Sequence, residues 1–254
     1  LCHILGISKA QLYSQPERML TQVEVINLQH LVQRRSLHEP TAYILRHCEF
    51  YGIDFYLDQR VFIPRPETEL LVEEIIEFAQ QSFPSGNLTI ADIGTGSGAI
   101  AISLALALPQ AKVYAIDISA LALQVADINC DYHKLDGQVK LLQGDLLEPL
   151  AEPIDIIAAN LPYIEDHELF ALSPEIINFE PMVALAGGED GLDKIHSLLA
   201  QVEGKIKPGG CLFMEIGQGQ DKEVTSLINS YFSQASLELI PDLNRINRVV
   251  KVIL

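Results

Sequence analysis

Ile90-Ala91-Asp92-Ile93-Gly94-Thr95-Gly96-Ser97-Gly98 is the stretch on which the fold turns. Its first half continues a short apolar run, predicted as a buried strand over 88–93, and a helix is predicted over 98–108. Gly94, Gly96 and Gly98 remove Cβ where the backbone must turn sharply between the two and where a ligand comes close. Their spacing is GxGxG, not the GxGxxG of dinucleotide sites, and no Gly-Lys-Ser/Thr follows as in a P-loop. Asp117, nineteen residues past Gly98, ends the next strand-like run. A carboxylate there can accept hydrogen bonds from both ribose hydroxyls. Alone, residues 94–98 read as a tight turn and Asp117 as a helix N-cap. In this order they point to a nucleoside that carries no pyrophosphate, as a methionine-bearing cofactor does.

Outward from this stretch, strands and helices alternate. Further strands are predicted over 112–116, 139–142, 154–158 and 211–216, and helices over 120–133, 192–206 and 220–232. Such alternation with short links predicts an α/β fold with a parallel, doubly wound sheet. The strand-like runs 237–240 and 249–254 have no helix between them, so an antiparallel hairpin is expected to close the sheet edge. Before residue 48 no strand pattern occurs. Thr21 is placed to cap a helix with Val25, Leu28, Leu31 and Val32 on its apolar side; Pro40 breaks it, and Thr41 is placed to cap a short segment after it. Three units are therefore expected: a small helical domain over 1–47, a connecting β-hairpin over 48–65 turned at Gly52, and the α/β domain over 66–254.

The reacting end is expected after the fourth strand, in Asn160-Leu161-Pro162-Tyr163. Pro162 biases Leu161 to extended backbone, so the segment leaves the sheet stiffly. The Asn160 side-chain oxygen and a nearby peptide carbonyl are two acceptors, enough for the two hydrogens of an NH₂ group. Tyr163 can stack on the planar face of that group. An amide or aromatic amine nitrogen is a weak nucleophile, and such hydrogen bonds enrich and orient it without metal or strong base. Asp145-Leu146, after the third strand, falls beside the adenine edge, with Leu146 packing on the ring and Asp145 accepting from the exocyclic amine; the pair reads equally as a helix cap.

Composition narrows the partners. The formal charge of −17 lacks the basic footprint of nucleic-acid binders and fits a protein or small-molecule partner better. Arg34-Arg35 is the one adjacent basic pair, read as part of a solvated helix face. The four cysteines form no CxxC pair and the seven histidines no ligand spacing, so a reduced compartment and no metal are expected. The longest apolar run, 99–108, is too short to span a bilayer, no charged-then-apolar leader opens the sequence, and a soluble cytoplasmic protein is expected.

Residues 92–98, Asp117 and Asn160-Leu161-Pro162-Tyr163 resemble class I N-methyltransferases of the (N/D)PPY type. Further stretches are similar to the HemK/PrmC family, the peptide chain release factor N5-glutamine methyltransferases: Arg34-Arg35 with Glu39-Pro40, the run Phe62-Ile63-Pro64-Arg65-Pro66-Glu67-Thr68-Glu69, Glu180-Pro181, Asp190-Gly191-Leu192, and Glu215-Ile216-Gly217. The resemblance implies a class I S-adenosyl-L-methionine-dependent fold with a helical release factor recognition domain. It implies methyl transfer to the glutamine of the Gly-Gly-Gln loop of class I release factors. Gly94, Thr95, Gly96, Ser97, Gly98, Asp117, Asp145, Leu146 and Asn160 would line the cofactor site, and Asn160, Leu161, Pro162 and Tyr163 would hold the glutamine amide. Leu161 stands where the family usually has Pro, and Leu146 where some relatives carry an aromatic. No nucleic acid, no membrane and a monomer are expected. The same motif can hold the exocyclic amine of a flipped adenine, so an rRNA or DNA N-methyltransferase is the alternative; a non-catalytic nucleoside-binding protein is a third.

Overall fold

The computed structural model describes residues 1–254. Four helices come first: α1 (Cys2–Leu5), α2 (Lys9–Ser14), α3 (Gln22–Ser36) and α4 (Thr41–Leu45). Thr21 caps α3 in a capping box with Glu24, each side chain satisfying the other residue's backbone N–H. The apolar stripe of α3 is shallow, for Leu28 and Leu31 are half-buried while Val25 and Val32 stay exposed. Thr41 is not a cap but the first residue of α4. Pro40 takes the cap position, and its carbonyl accepts from Tyr43 and Ile44 N–H at 3.1 and 3.0 Å. Arg34 and Arg35 do not form a free solvated face either. Arg34 grips the buried Glu39 with two nitrogens, and Arg35 pairs with Glu175 at 2.6 Å.

Strands β1 (Cys48–Phe50) and β2 (Ile53–Phe55) form the expected hairpin. Tyr51 and Gly52, at φ +53° and +69°, make the two-residue mirror-image turn whose twist suits paired strands. A 3-10 turn over Pro66–Thr68 then leads into α5 (Glu69–Ser82).

From there the chain runs β3 (Thr89–Ile93), α6 (Ala99–Ala107), β4 (Lys112–Asp117), α7 (Ala120–His133), β5 (Val139–Gln143), β6 (Ile154–Ala159). It continues through β7 (Ile164–Glu165), α8 (Pro174–Ile177), β8 (Ala186–Gly188), α9 (Asp193–Val202), β9 (Ile206–Glu215), α10 (Asp221–Tyr231), β10 (Ser236–Pro241) and β11 (Asn247–Ile253). Seven strands form the main sheet in the order β10-β11-β9-β6-β3-β4-β5. The five from β9 to β5 are parallel, and β11 and β10 are antiparallel. Ile206, expected to end a helix, instead begins β9, because α9 stops at Val202 and Gly204 takes φ +74°. Helix α9 still buries Ile195, Leu198, Leu199 and Val202.

Strand periodicity sorts the core into two layers. Ile90, Ile156, Ala158, Cys211 and Phe213 face α5 and α6. Ala91, Ile157, Ala159, Leu212 and Met214 face α9 and α10. The order reverses around β3, the point at which ligands settle outside the carboxyl ends of an open parallel sheet. No helix is long and apolar enough to cross a membrane.

Candidate active site

The carboxyl ends of β3, β4, β5 and β6 and the turns beyond them line one pocket, which gathers Gly94, Thr95, Gly96, Ser97, Asp117, Asp145, Leu146, Asn160, Leu161, Pro162 and Tyr163. Gly98 is the exception among the sequence candidates. It caps α6 at φ +83° behind the pocket wall, where a Cβ would meet Ile102 at 3.0 Å and Ala126 at 3.4 Å. Its missing side chain serves the packing of α6 on α7 rather than a ligand contact.

The bend after β3 is tied from both sides. Asp92 is fully buried, and its Oδ2 accepts from the Thr95 hydroxyl at 2.6 Å and the Ala101 N–H at 3.1 Å. Its Oδ1 has no partner, and burial pushes the carboxyl up to about 7. Asp117 on β4 accepts from Gly96 N–H at 2.9 Å and Ser119 N–H at 2.8 Å. Burial holds its carboxyl above the usual range, against the pull of those N–H groups. At Gly94, φ +74°, a Cβ would lie 3.3 Å from the Leu161 side chain and 3.8 Å from the Asn160 carbonyl, so glycine lets Leu161 and the 160 backbone pack close against the bend.

Leu146 adopts a left-handed conformation, φ +51°, which costs a bulky residue about 1–2 kcal/mol. Its side chain is buried in the same core layer as Leu147 and Leu161 yet lines the pocket. Asp145 beside it is exposed and caps nothing with its side chain; only its backbone carbonyl is used, by Glu148 N–H at 3.1 Å. The helix-cap reading of this pair is not what the structure contains.

Strand parity builds the floor beside the bend. Register pairs Ile93 with Ala159 and Ala159 with Met214, so Gly94, Asn160 and Glu215 fall side by side at three neighbouring strand ends. Asn160 Nδ2 donates to Thr68 Oγ1 and Glu215 Oε2, both at 3.0 Å. Its Oδ1 makes no hydrogen bond within the chain and is left for the pocket, as is the Pro162 carbonyl. Tyr163 donates its hydroxyl to Glu215 Oε1 at 3.2 Å, while its carbonyl accepts from Gln220 Nε2 at 3.1 Å. Two acceptors, an aromatic wall and a glycine bend thus share one cavity, an arrangement suited to a planar NH₂ group presented to a nucleoside-bound donor.

The opposite wall was less legible. Phe62 and Pro64 line the pocket across from Pro181, Val183 and Leu185. Glu180, almost wholly buried, joins the two sides by accepting from Ile63 N–H at 3.2 Å and from Arg65. Sequence reasoning gave no role to Thr68, Glu180 or Glu215. Glu215 had a signal of its own, for a lone carboxylate ends the apolar run 211–214.

The geometry accords with known proteins. A family model described as methyltransferase domain matches residues 84–239, and one described as PrmC N-terminal domain matches residues 1–45. The chain is 38% identical over 253 residues to a release factor glutamine methyltransferase of Thermodesulfovibrio yellowstonii, covering 98% of this chain and 88% of that one. It is 40% identical over 249 residues to a release factor glutamine methyltransferase of Koribacter versatilis, covering 97% and 86%. Among solved structures it is similar to a methyltransferase from Pyrococcus furiosus, with a TM-score of 0.57 and 15% identity over 89% of this chain and 98% of that one. At that identity the likeness shows the fold alone.

Proposed function

The chain belongs to the release factor glutamine methyltransferase family, and from that premise we propose that its pocket methylates the side-chain amide nitrogen of the glutamine in the Gly-Gly-Gln motif of class I peptide chain release factors, in support of translation termination. S-adenosyl-L-methionine supplies an activated methyl group on a sulfonium, with a neutral thioether as leaving group. The residues present fit it. The bend at Gly94–Thr95–Gly96–Ser97 leaves room for a ligand, the Asp117 carboxylate is placed for ribose hydroxyls, and Asp145 and Leu146 offer an acceptor and an apolar surface for adenine.

Asn160 Oδ1 and the Pro162 carbonyl accept from the two amide hydrogens of the glutamine. Tyr163 walls its plane, and Leu161 fills the space behind Gly94. Holding the nitrogen in this way supplies orientation, worth at most about 7–11 kcal/mol of barrier. The proton then leaves to water, so no buried base is required. The reading is carried by one observation: Asn160 lies in register beside the glycine bend, with Oδ1 free.

Residues 1–47 form the release factor recognition domain, 48–65 a connecting hairpin and 66–254 the catalytic domain. The protein acts as a cytoplasmic monomer on a protein substrate, without nucleic acid. Incubation with labelled cofactor and either a release factor or rRNA, followed by mass spectrometry, tests this. Label is expected on the loop glutamine; label in RNA and none on that glutamine overturns the assignment.

A further inference from the structure

Glu215 is 3% exposed and lies behind Asn160, outside the pocket lining. Three donors converge on it: the Thr68 hydroxyl at 2.6 Å and Asn160 Nδ2 at 3.0 Å on Oε2, and the Tyr163 hydroxyl at 3.2 Å on Oε1. Thr68 is equally buried, and its Oγ1 accepts from the same Asn160 Nδ2 at 3.0 Å. These bonds have a direction. Burial raises the Glu215 carboxyl, but the three donors aimed at it keep it the acceptor, so the Thr68 hydrogen is committed to it and the Thr68 oxygen must accept in turn. Asn160 therefore meets two acceptors on its inner side and can only present NH₂ inward and its carbonyl outward. Rotated by half a turn, Oδ1 would face Oε2 at 3.0 Å, acceptor against acceptor, in a buried site where such a mismatch is not relieved by water.

We propose that Glu215 and Thr68 are positioning residues that fix the polarity of the Asn160 side chain and so make the site selective for a carboxamide over a carboxylate. This rests on the reading that the glutamine amide docks at Asn160. A glutamate side chain in the same place would set an acceptor oxygen against Asn160 Oδ1, where the glutamine amide offers a hydrogen. The enzyme thereby rejects the deamidated form of its own substrate.

The test uses the full chain, a release factor with its loop glutamine intact, and the same factor carrying glutamate there as a competitive inhibitor. The wild type should bind the glutamate form weaker by about 10²-fold or more, since a site built around one hydrogen-bonding pattern strongly rejects the other. Glu215→Met frees the amide to rotate. Turnover should fall about 10²-fold and the discrimination should shrink to less than about tenfold, with cofactor affinity changed less than about threefold, the sizes expected for losing a positioned polar contact. Glu215→Gln can keep an oxygen toward Thr68 and Asn160 and turn its NH₂ to the Tyr163 oxygen, so it should restore most of both properties. A merely structural role would not move the discrimination ratio. If Glu215→Met fails to fold, Thr68→Val alone must lower the ratio. Wild-type methylation of the glutamine together with unchanged turnover and discrimination in Thr68→Val and in any folded Glu215→Met would overturn this inference alone. Absence of glutamine methylation by the wild type would instead remove the reading beneath it.

Discussion

Asp92 and Asp117 are carboxylates on neighbouring strands with different duties. Asp92 holds the bend from within the core, where burial raises it to about 7 from an ordinary value near 3.8. Between about pH 4 and 7 the folded protein keeps a proton that the unfolded chain releases. The contribution of Asp92 to stability is thus complete below about pH 4 and is lost as the pH rises through about 7. Denaturant unfolding of wild type and Asp92→Asn should show the variant gaining relative stability over that window; a pH-independent difference would contradict the assignment. Asp117 faces the pocket, and Asp117→Ala should weaken cofactor binding by about 10- to 100-fold, the worth of hydrogen bonds to a charged group, as measured by calorimetry. Asp117 and Asn160 were legible because each follows an apolar run and so stands at a strand end. Glu215 also ends an apolar run, but its role was not readable, because its partners Thr68 and Asn160 lie 147 and 55 positions away in sequence. Gly98 lies outside the pocket lining: its spacing matches the bend, but its empty side faces Ile102 and Ala126.

At the scale of elements, the two-stranded bridge β7–β8 fixes how the 160–163 segment leaves the sheet. Ile164 N–H bonds the Leu185 carbonyl at 3.1 Å, and Asp166 N–H bonds that of Gly188 at 2.9 Å. Gly187 packs so tightly there that a Cβ would sit 2.8 Å from the Tyr163 Cα and from the Gly191 carbonyl. Gly187→Ala must therefore push the backbone that carries Tyr163. It should lose about 1–3 kcal/mol of stability by overpacking, and turnover should fall more than cofactor affinity, as read by denaturant unfolding and steady-state kinetics. The long alternating elements were readable from periodicity, and so was the closing antiparallel pair β10–β11. The bridge was not, since strands of two and three residues carry no period. The beginning of β9 was hidden too, because residues 206–210 are Ile-Lys-Pro-Gly-Gly, which reads as a turn until β6 pairs Ile154 with Ile206.

Across the whole molecule, ligand and fold are linked. Cofactor at a hundred times its dissociation constant should stabilise the protein by about 2.7 kcal/mol. That corresponds to a rise in melting temperature of about 5–10 °C at this size, and Asp117→Ala should shrink the rise at the same cofactor concentration. Helix α3 and the link before it keep apolar side chains in water, Val23 at 67% and Ile26 at 55% exposure on the helix and Met19 at 87% before it. If that face meets the release factor, Ile26→Glu should raise KM for the factor several-fold and leave the cofactor thermal shift as it was. The Thr21 cap, the apolar spacing after it and the lack of strand signals before residue 48 made this region recognisable as a helical unit, while its shallow packing could not be read from spacing alone.

Thr68, Asn160 and Glu215 arrive from widely separated parts of the chain, and Glu215 pairs in register with Val249 on β11. Such a topology has a kinetic corollary. Distant segments meet late in folding, after local helices and hairpins have formed. A refolding protein should regain its circular dichroism before it regains methyl transfer, and partly collapsed chains should be inert toward release factors. Enzymatic competence here is a stopwatch for the final docking of the sheet, started by none of the elements individually.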